Sequence, residues 1–267
     1  MSQIEKATSA DGTTIAYESY GSGPVAVVVG GAFCDRESFR DLAEELGGLG
    51  LTGVTYDRRG RGDSGDTHPY AVAREIDDLT AVIDAAGESD APAYAFGVSS
   101  GGALVIEAIA AGAPVTKGSA LEVPYRSEAW PAPDDYIGTL ERFEAAGDRE
   151  GILRYFNNIV VGMPEEMVEG MRGTPMWEPL LALTYTVKYD GACLGGDDQS
   201  LPTETLRRVT VPFLSVCSSG TQMPVLHDSA RVLADALPNA RAVELPGDFH
   251  QVPAPVLAPV LAEFYRA

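Results

Sequence analysis

The stretch FGVSSGG at 96–102 sets two adjacent serines among glycines. Only one register of it gives the small-x-Ser-x-small spacing, Gly97-Val98-Ser99-Ser100-Gly101, and that register singles out Ser99. The chemistry it points to is acyl transfer, in which a serine hydroxyl attacks a carbonyl carbon. Such a hydroxyl is too weakly acidic to attack unaided and needs a neighbouring base, usually imidazole. Three histidines are available: His68, His227 and His250. The tetrahedral intermediate also needs two N–H donors that meet its oxyanion, and one falls to the residue after the nucleophile, Ser100. The competing reading is a turn that simply required small residues.

The elements around the serines favour the chemical reading. PAYAFG at 92–97 reads as a strand feeding into them, and the alanine-rich run at about 101–111 reads as a helix. A strand that turns sharply into a helix lifts a serine hydroxyl clear of the sheet. Glycines flank it because a Cβ would collide in so tight a bend. Upstream, TTIAYESY at 13–20 alternates as a strand does, while VAVVVG at 25–30 and LTGVTYD at 51–57 are continuous apolar runs suited to strands buried on both faces. Helical spacing appears between Arg36 and Leu46 and again over 70–86, and VTKGSALE at 115–122 is a further strand. Residues 123–204 change character, with proline-punctuated helical segments at 134–146, 149–161, 164–172 and 175–188 and no convincing strand. VPFLSVC at 211–217, a helix at about 227–236, ARAVEL at 240–245 and a last helix at 254–265 then resume the alternation. Alternating strands and helices imply an α/β fold with a mostly parallel central sheet flanked by helices. The organisation expected is a core of 1–122 and 205–267 interrupted by a helical cap insertion at 123–204.

Four stretches, GGAFCDRESF at 30–39, YDRRGRGDSGD at 56–66, GVSSGG at 97–102 and GDFHQVPAPVLAPVLAEF at 247–264, resemble the α/β-hydrolase superfamily in its own order. Within it the chain is most similar to the capped serine hydrolases common in actinobacteria. The resemblance implies the chain order nucleophile, acid, histidine, which makes His250 the catalytic base and leaves His68 and His227 as solvated loop and cap residues. It also implies that the second oxyanion donor is Ala32, in a Gly30-Gly31-Ala32 loop that stands where many members carry His-Gly-x. The acid departs from the pattern. The loop after the penultimate strand reads CSSGTQMP, with Thr221 near the expected aspartate and no carboxylate. Asp228 lies in the following helix, and Asp248 is only two residues from His250. Glu122, at the end of the strand 115–122, is the first candidate, since some lipases and haloalkane dehalogenases resemble this arrangement. A purely structural Glu122, or a bare Ser–His pair, stands as the alternative.

Asp57-Arg58-Arg59-Gly60-Arg61-Gly62-Asp63 alternates charges with glycines and reads as a loop-fixing network rather than a substrate contact. Phe33, Met163 and Trp177 are the candidate substrate-contacting residues, on the ground that aromatic and methionine side chains adapt to apolar pockets. Cys34 and Cys217 read as small buried apolar residues.

The composition narrows the partners. With 39 acidic against 19 basic residues the formal charge is −20, which repels nucleic acid and anionic lipid. The start has no basic segment followed by an apolar one, and the apolar run around Val25 to Val29 is too short to span a bilayer, so a soluble, cytoplasmic protein is expected. Three cysteines at wide spacing and three histidines make neither a disulfide framework nor a zinc pattern, so no metal and no cofactor is expected. The sequence therefore predicts a serine hydrolase acting on a small to medium, mostly uncharged organic ester. A non-hydrolytic or C–C bond-cleaving enzyme on the same scaffold, or a ligand-binding member that does not turn over, are the alternatives. The residues do not disclose an oligomeric state.

Overall fold

In a computed structural model that describes residues 3–87 and 91–267, eight strands form one sheet in the order β1-β2-β4-β3-β5-β6-β7-β8. They are β1 (Glu5–Thr8), β2 (Thr14–Gly21), β3 (Val25–Val29), β4 (Thr52–Tyr56), β5 (Ala93–Val98), β6 (Lys117–Leu121), β7 (Phe213–Ser218) and β8 (Ala240–Leu245). The β1–β2 and β2–β4 pairs are antiparallel and the others parallel. The α/β fold with a mostly parallel sheet is therefore as the sequence predicts. The four-residue β1 is too short to give a periodicity signal in the sequence.

The continuous apolar runs have a direct cause. Val25, Val27 and Val29 of β3 enter a core beneath helices α2 (Val72–Ala86) and α3 (Ser100–Ala110). Ala26 and Val28 enter the opposite core, beneath α1 (Arg40–Gly48) and α11 (Ala254–Arg266). Both faces of the strand are buried, so alternation with polar residues is absent. Each such valine contributes about 1.5–3 kcal/mol by leaving water.

Between β6 and β7 the chain forms α4 (Tyr136–Ala145), α5 (Arg149–Arg154), α6 (Glu165–Met171), α7 (Trp177–Leu183), α8 (Val187–Cys193) and α9 (Thr203–Arg208); α10 (Pro224–Ala236) follows β7. The segments expected as single helices at 149–161 and 175–188 are broken, the first by a wider π-helical turn at Tyr155–Val161, the second by a 3-10 turn at Thr184–Thr186. Among the described residues no helix is long and apolar enough to cross a membrane.

Parallel strands bring their carboxyl ends to one edge of the sheet. Residues 30–32 after β3, Ser99 after β5, Glu122 after β6, Thr221 after β7 and His250 after β8 consequently gather there. The β5–α3 turn can be made only with glycine at two points. A Cβ at Gly97 would overlap the backbone of Gly101 and Gly102, and one at Gly101 would overlap Val29 O and lie 2.7 Å from Gly30 O. Gly101→Ala is therefore expected to cost about 1–3 kcal/mol by overpacking. The urea midpoint should fall with the slope unchanged, and an unmoved midpoint would contradict this packing.

Candidate active site

Ser99 sits at φ 57°, ψ −126°, a conformation that L-residues avoid, between β5 and the first turn of α3. Its amide is tied to Leu121 O at 2.9 Å. Phe33, Glu122 and His250 also have positive φ (58°, 47° and 54°). Backbone strain thus concentrates at this edge of the sheet, where the surrounding packing has to hold it.

The His250 ring meets Glu122 directly. Its Nδ1 lies 2.7 Å from Glu122 Oε2, and the glutamate is wholly buried. The other oxygen, Oε1, accepts from Ser218 N and from Thr221 Oγ1, each at 2.8 Å. Thr221 Oγ1 in turn accepts from His250 N at 2.9 Å. The residue that stands where an aspartate was expected therefore braces both the glutamate and the histidine backbone. His250 Nε2 has no hydrogen-bond partner among the described residues, and the ring is not hydrogen-bonded to Ser99 Oγ. Such contacts are often long in unliganded sites. His250, Ser99, Ser100 and Ala32 line one cavity of about 160 Å³.

Asp228 is exposed on α10, and Asp248 pairs its backbone with Gln251. His227 lies 3.1 Å from Glu244, and the exposed His68 is 3.5 Å from Asp66. None of these four lines the cavity.

A buried charge network supports the floor of the cavity. Arg58 forks onto Glu75 (2.7 and 2.6 Å) and reaches Asp190 Oδ1 at 2.6 Å. Arg61 reaches Asp190 Oδ2 at 2.7 Å and donates to Gly31 O at 2.5 Å. Ser100 Oγ donates to Asp190 Oδ1 at 2.6 Å. Arg59 forks onto Asp78 at 2.7 Å. Burial pushes the Asp190 carboxyl up, but Arg61 and Arg58 with the Ser100 hydroxyl outweigh it and hold the group below its ordinary range. Glu75 is lowered in the same way, with Arg58 overcoming its burial. Gly31 O belongs to the peptide whose N–H is that of Ala32, so Arg61 fixes the direction of that donor. Nothing local in the sequence marks Asp190. It lies in α8, remote in sequence from both arginines.

The three expected substrate-contacting residues are placed elsewhere. Trp177 is buried against Leu153 and Val168, with Met163 beside it and the Arg172 guanidinium over its ring at 4.9 Å. Phe33 sets its edge against Phe156, 5.3 Å between centroids, and so stands behind the wall that Phe156 forms. None of the three lines the cavity. Their apolar surfaces are spent on packing the helical block. The walls come instead from residues such as Tyr136, Phe156, Val160, Leu194, Met223 and Phe249.

One group of potential metal ligands exists among the described residues: Cys217, His227 and Glu244, with ligand atoms within 4.8 Å of one another. Burial pushes the Cys217 thiol up to about 11, which opposes the thiolate a metal would need.

The chain resembles known proteins along its length. The profile of a family described as "Alpha/beta hydrolase family" matches residues 26–260. A solved structure of an alpha/beta hydrolase from Sphaerobacter thermophilus DSM 20745 is 42% identical, covering 98% of this chain and 100% of the other at a TM-score of 0.88. An esterase from Thermogutta terrifontis is 21% identical with a TM-score of 0.69, covering 99% of this chain and 97% of the other, and at that identity it shows the fold alone. An uncharacterized hydrolase, YraK, of Bacillus subtilis (strain 168) is 35% identical over 99 residues, 36% of this chain; the match spans only 35% of that relative's length.

Removing the Asp190 charge tests the network. Arg61 has no other carboxylate among the described residues, so Asp190→Asn leaves a buried guanidinium unpaired and is expected to cost about 3–5 kcal/mol in chemical denaturation. Both Asp190 and Glu75 have lowered folded pKa values. Their stabilisation is present above the ordinary carboxylate range, about 4, and is lost as pH falls through the lower folded values. Acid unfolding of the wild type should therefore begin below about pH 4, and Asp190→Asn should flatten that limb. An equally steep limb in the variant would contradict the assignment.

Proposed function

The chain belongs to the α/β-hydrolase family, and on that premise we propose that it is a serine hydrolase that cleaves an ester-type bond through an acyl-enzyme on Ser99. The observation that carries this reading is the buried Glu122 carboxylate 2.7 Å from His250 Nδ1, with the histidine lining the same cavity as Ser99. A carboxylate on Nδ1 favours the tautomer that carries its proton there, which leaves Nε2 bare to accept one.

In the proposed reaction Ser99 Oγ attacks the carbonyl carbon while its proton passes to His250 Nε2. The oxyanion is held by the N–H groups of Ser100 and Ala32, neither of which has a backbone hydrogen-bond partner among the described residues. The N-terminus of α3 adds its positive end. The ester C–O bond then breaks and His250 returns the proton to the departing alcohol. Water attacks the acyl carbon, gives a proton to His250, and the acid leaves as Ser99 Oγ recovers that proton. No step draws on a cofactor or metal. The helices of residues 123–204 act as a cap over a core of 1–122 and 205–267, because Tyr136, Phe156 and Leu194 supply cavity wall from above the sheet edge.

A fluorophosphonate probe should label Ser99 alone, and Ser99→Ala should abolish labelling and ester turnover. Glu122→Gln should lower kcat by about ten-thousand-fold with the fold intact, since it permits the wrong tautomer. Full turnover in Glu122→Gln, or a label on another residue, would overturn the proposal.

A further inference from the structure

The buried arginines of the 58–61 loop each face a carboxylate. Arg126, in the segment after β6, does not. It is 8% exposed, lines the cavity that holds Ser99, and forms no ion pair among the described residues. Its contacts are all to neutral groups. Nε donates to Gln199 Oε1 at 3.2 Å, Nη2 donates to Val160 O at 3.0 Å, and the guanidinium carbon lies over the Trp130 ring, 3.5 Å from its centroid. Nη1 has no protein partner among the described residues. The backbone is pinned as well, Arg126 N donating to Gln199 O at 2.7 Å.

These contacts fix the orientation of the group without neutralising it. A buried guanidinium with no counter-ion is costly to the folded protein, and a ligand that brings the anion removes that cost. Burial does push its pKa down to about 10, which leaves it cationic at neutral pH. The other charged groups nearby offer it nothing. Both oxygens of Asp190, which also lines the cavity, are taken by Arg58, Arg61 and Ser100, and Glu122 is turned to His250, Ser218 and Thr221. In a chain of formal charge −20, this buried cation is left without an acid in the cavity that holds Ser99.

We propose that Arg126 receives a free carboxylate of the substrate, so that the enzyme acts on a small half-ester or lactone carrying one carboxylate remote from the bond that Ser99 attacks. This rests on the hydrolase reading above and narrows it: the substrate is a monoanion instead of the uncharged ester that the apolar walls alone suggest. A planar guanidinium suits a carboxylate, whose oxygens accept charge-assisted hydrogen bonds from it. Arg126, Trp130 and Met223 line both this cavity and an adjoining outer groove. They form the partition between the two, which places the carboxylate end of the substrate at that partition and the ester end at Ser99.

The wild-type protein provides the first test. Alkali uptake is followed during hydrolysis of the monomethyl esters of succinate, glutarate and adipate. Each is compared with the methyl ester in which an isopropyl group replaces the carboxylate. For at least one length kcat/KM should favour the half-ester by about 30-fold, carried by KM, as expected for one charge-assisted contact. In Arg126→Gln that ratio should fall to near one, and Arg126→Lys should restore part of it. The second test is calorimetric and needs no turnover. The Ser99→Ala protein should bind the favoured half-ester, and adding Arg126→Gln should weaken binding by about the same factor. Hydrolysis of both ester types with a ratio near one at every length would overturn the inference and leave the hydrolase reading standing. Arg126-dependent binding without any hydrolysis by the wild type would do the reverse.

Discussion

A carboxylate with no access to water must have its oxygens satisfied by the protein, and the way Glu122 is satisfied organises this site. One oxygen meets His250 Nδ1, and the other takes Ser218 N and the Thr221 hydroxyl. Glu122 follows β6 and its partners come from the ends of β7 and β8, so a single side chain ties together three strand ends that the parallel sheet delivers to its edge. Thr221 also receives His250 N, which secures the histidine in its left-handed conformation. The carboxylate lies at the end of β6, and the loop after β7 carries the threonine that hydrogen-bonds to it.

The second organising feature is electrostatic and lies on the other side of Ser99. Arg58, Arg61, Glu75 and Asp190 are all buried and together carry two positive and two negative charges. The grouping is neutral, so burial does not require any of its members to change protonation. Its contacts reach Gly31 O, in the peptide that carries the proposed Ala32 donor, and also Gly30 O and Ser100 Oγ beside it. Because Asp190 belongs to α8, the same network fastens the helical block to the sheet. Positioning of the Ala32 peptide and attachment of the block thus share one set of interactions. Arg126 contrasts with this network, since its neighbours orient it and leave its charge uncompensated.

Residues whose placement follows from local geometry could be read in the sequence. Ser99 stands at a strand-to-helix turn that only glycines can flank, and the apolar runs of β3, β4 and β5 mark strands covered on both faces. The resemblance implied a place for His250 after β8, and the shared edge of parallel strands made Glu122 a candidate to meet it; the two side chains lie 2.7 Å apart. The arginine-rich loop could be recognised as a network from its alternating charges, but its partner Asp190 could not, because the pairing spans more than a hundred residues and no periodicity connects them. Met163 and Trp177 show the opposite limit. Their side chains suit an apolar pocket and an apolar core equally well, and here Trp177 is buried with Leu153 and Val168 while Met163 packs, partly buried, against that cluster. The helical segments predicted at 149–161 and 175–188 each change helix type, at 155–161 and 184–186, and neither of those stretches contains a proline or glycine to signal it.

The tautomer of the neutral His250 ring tests the central interaction most directly. Nitrogen NMR of protein labelled in its three histidines reads which ring nitrogen carries the proton. The Glu122 contact predicts a proton on Nδ1 and a bare Nε2, in keeping with a base that faces the cavity. A proton on Nε2 would mean that the carboxylate does not set the ring, and the account of the site built on that contact would not hold.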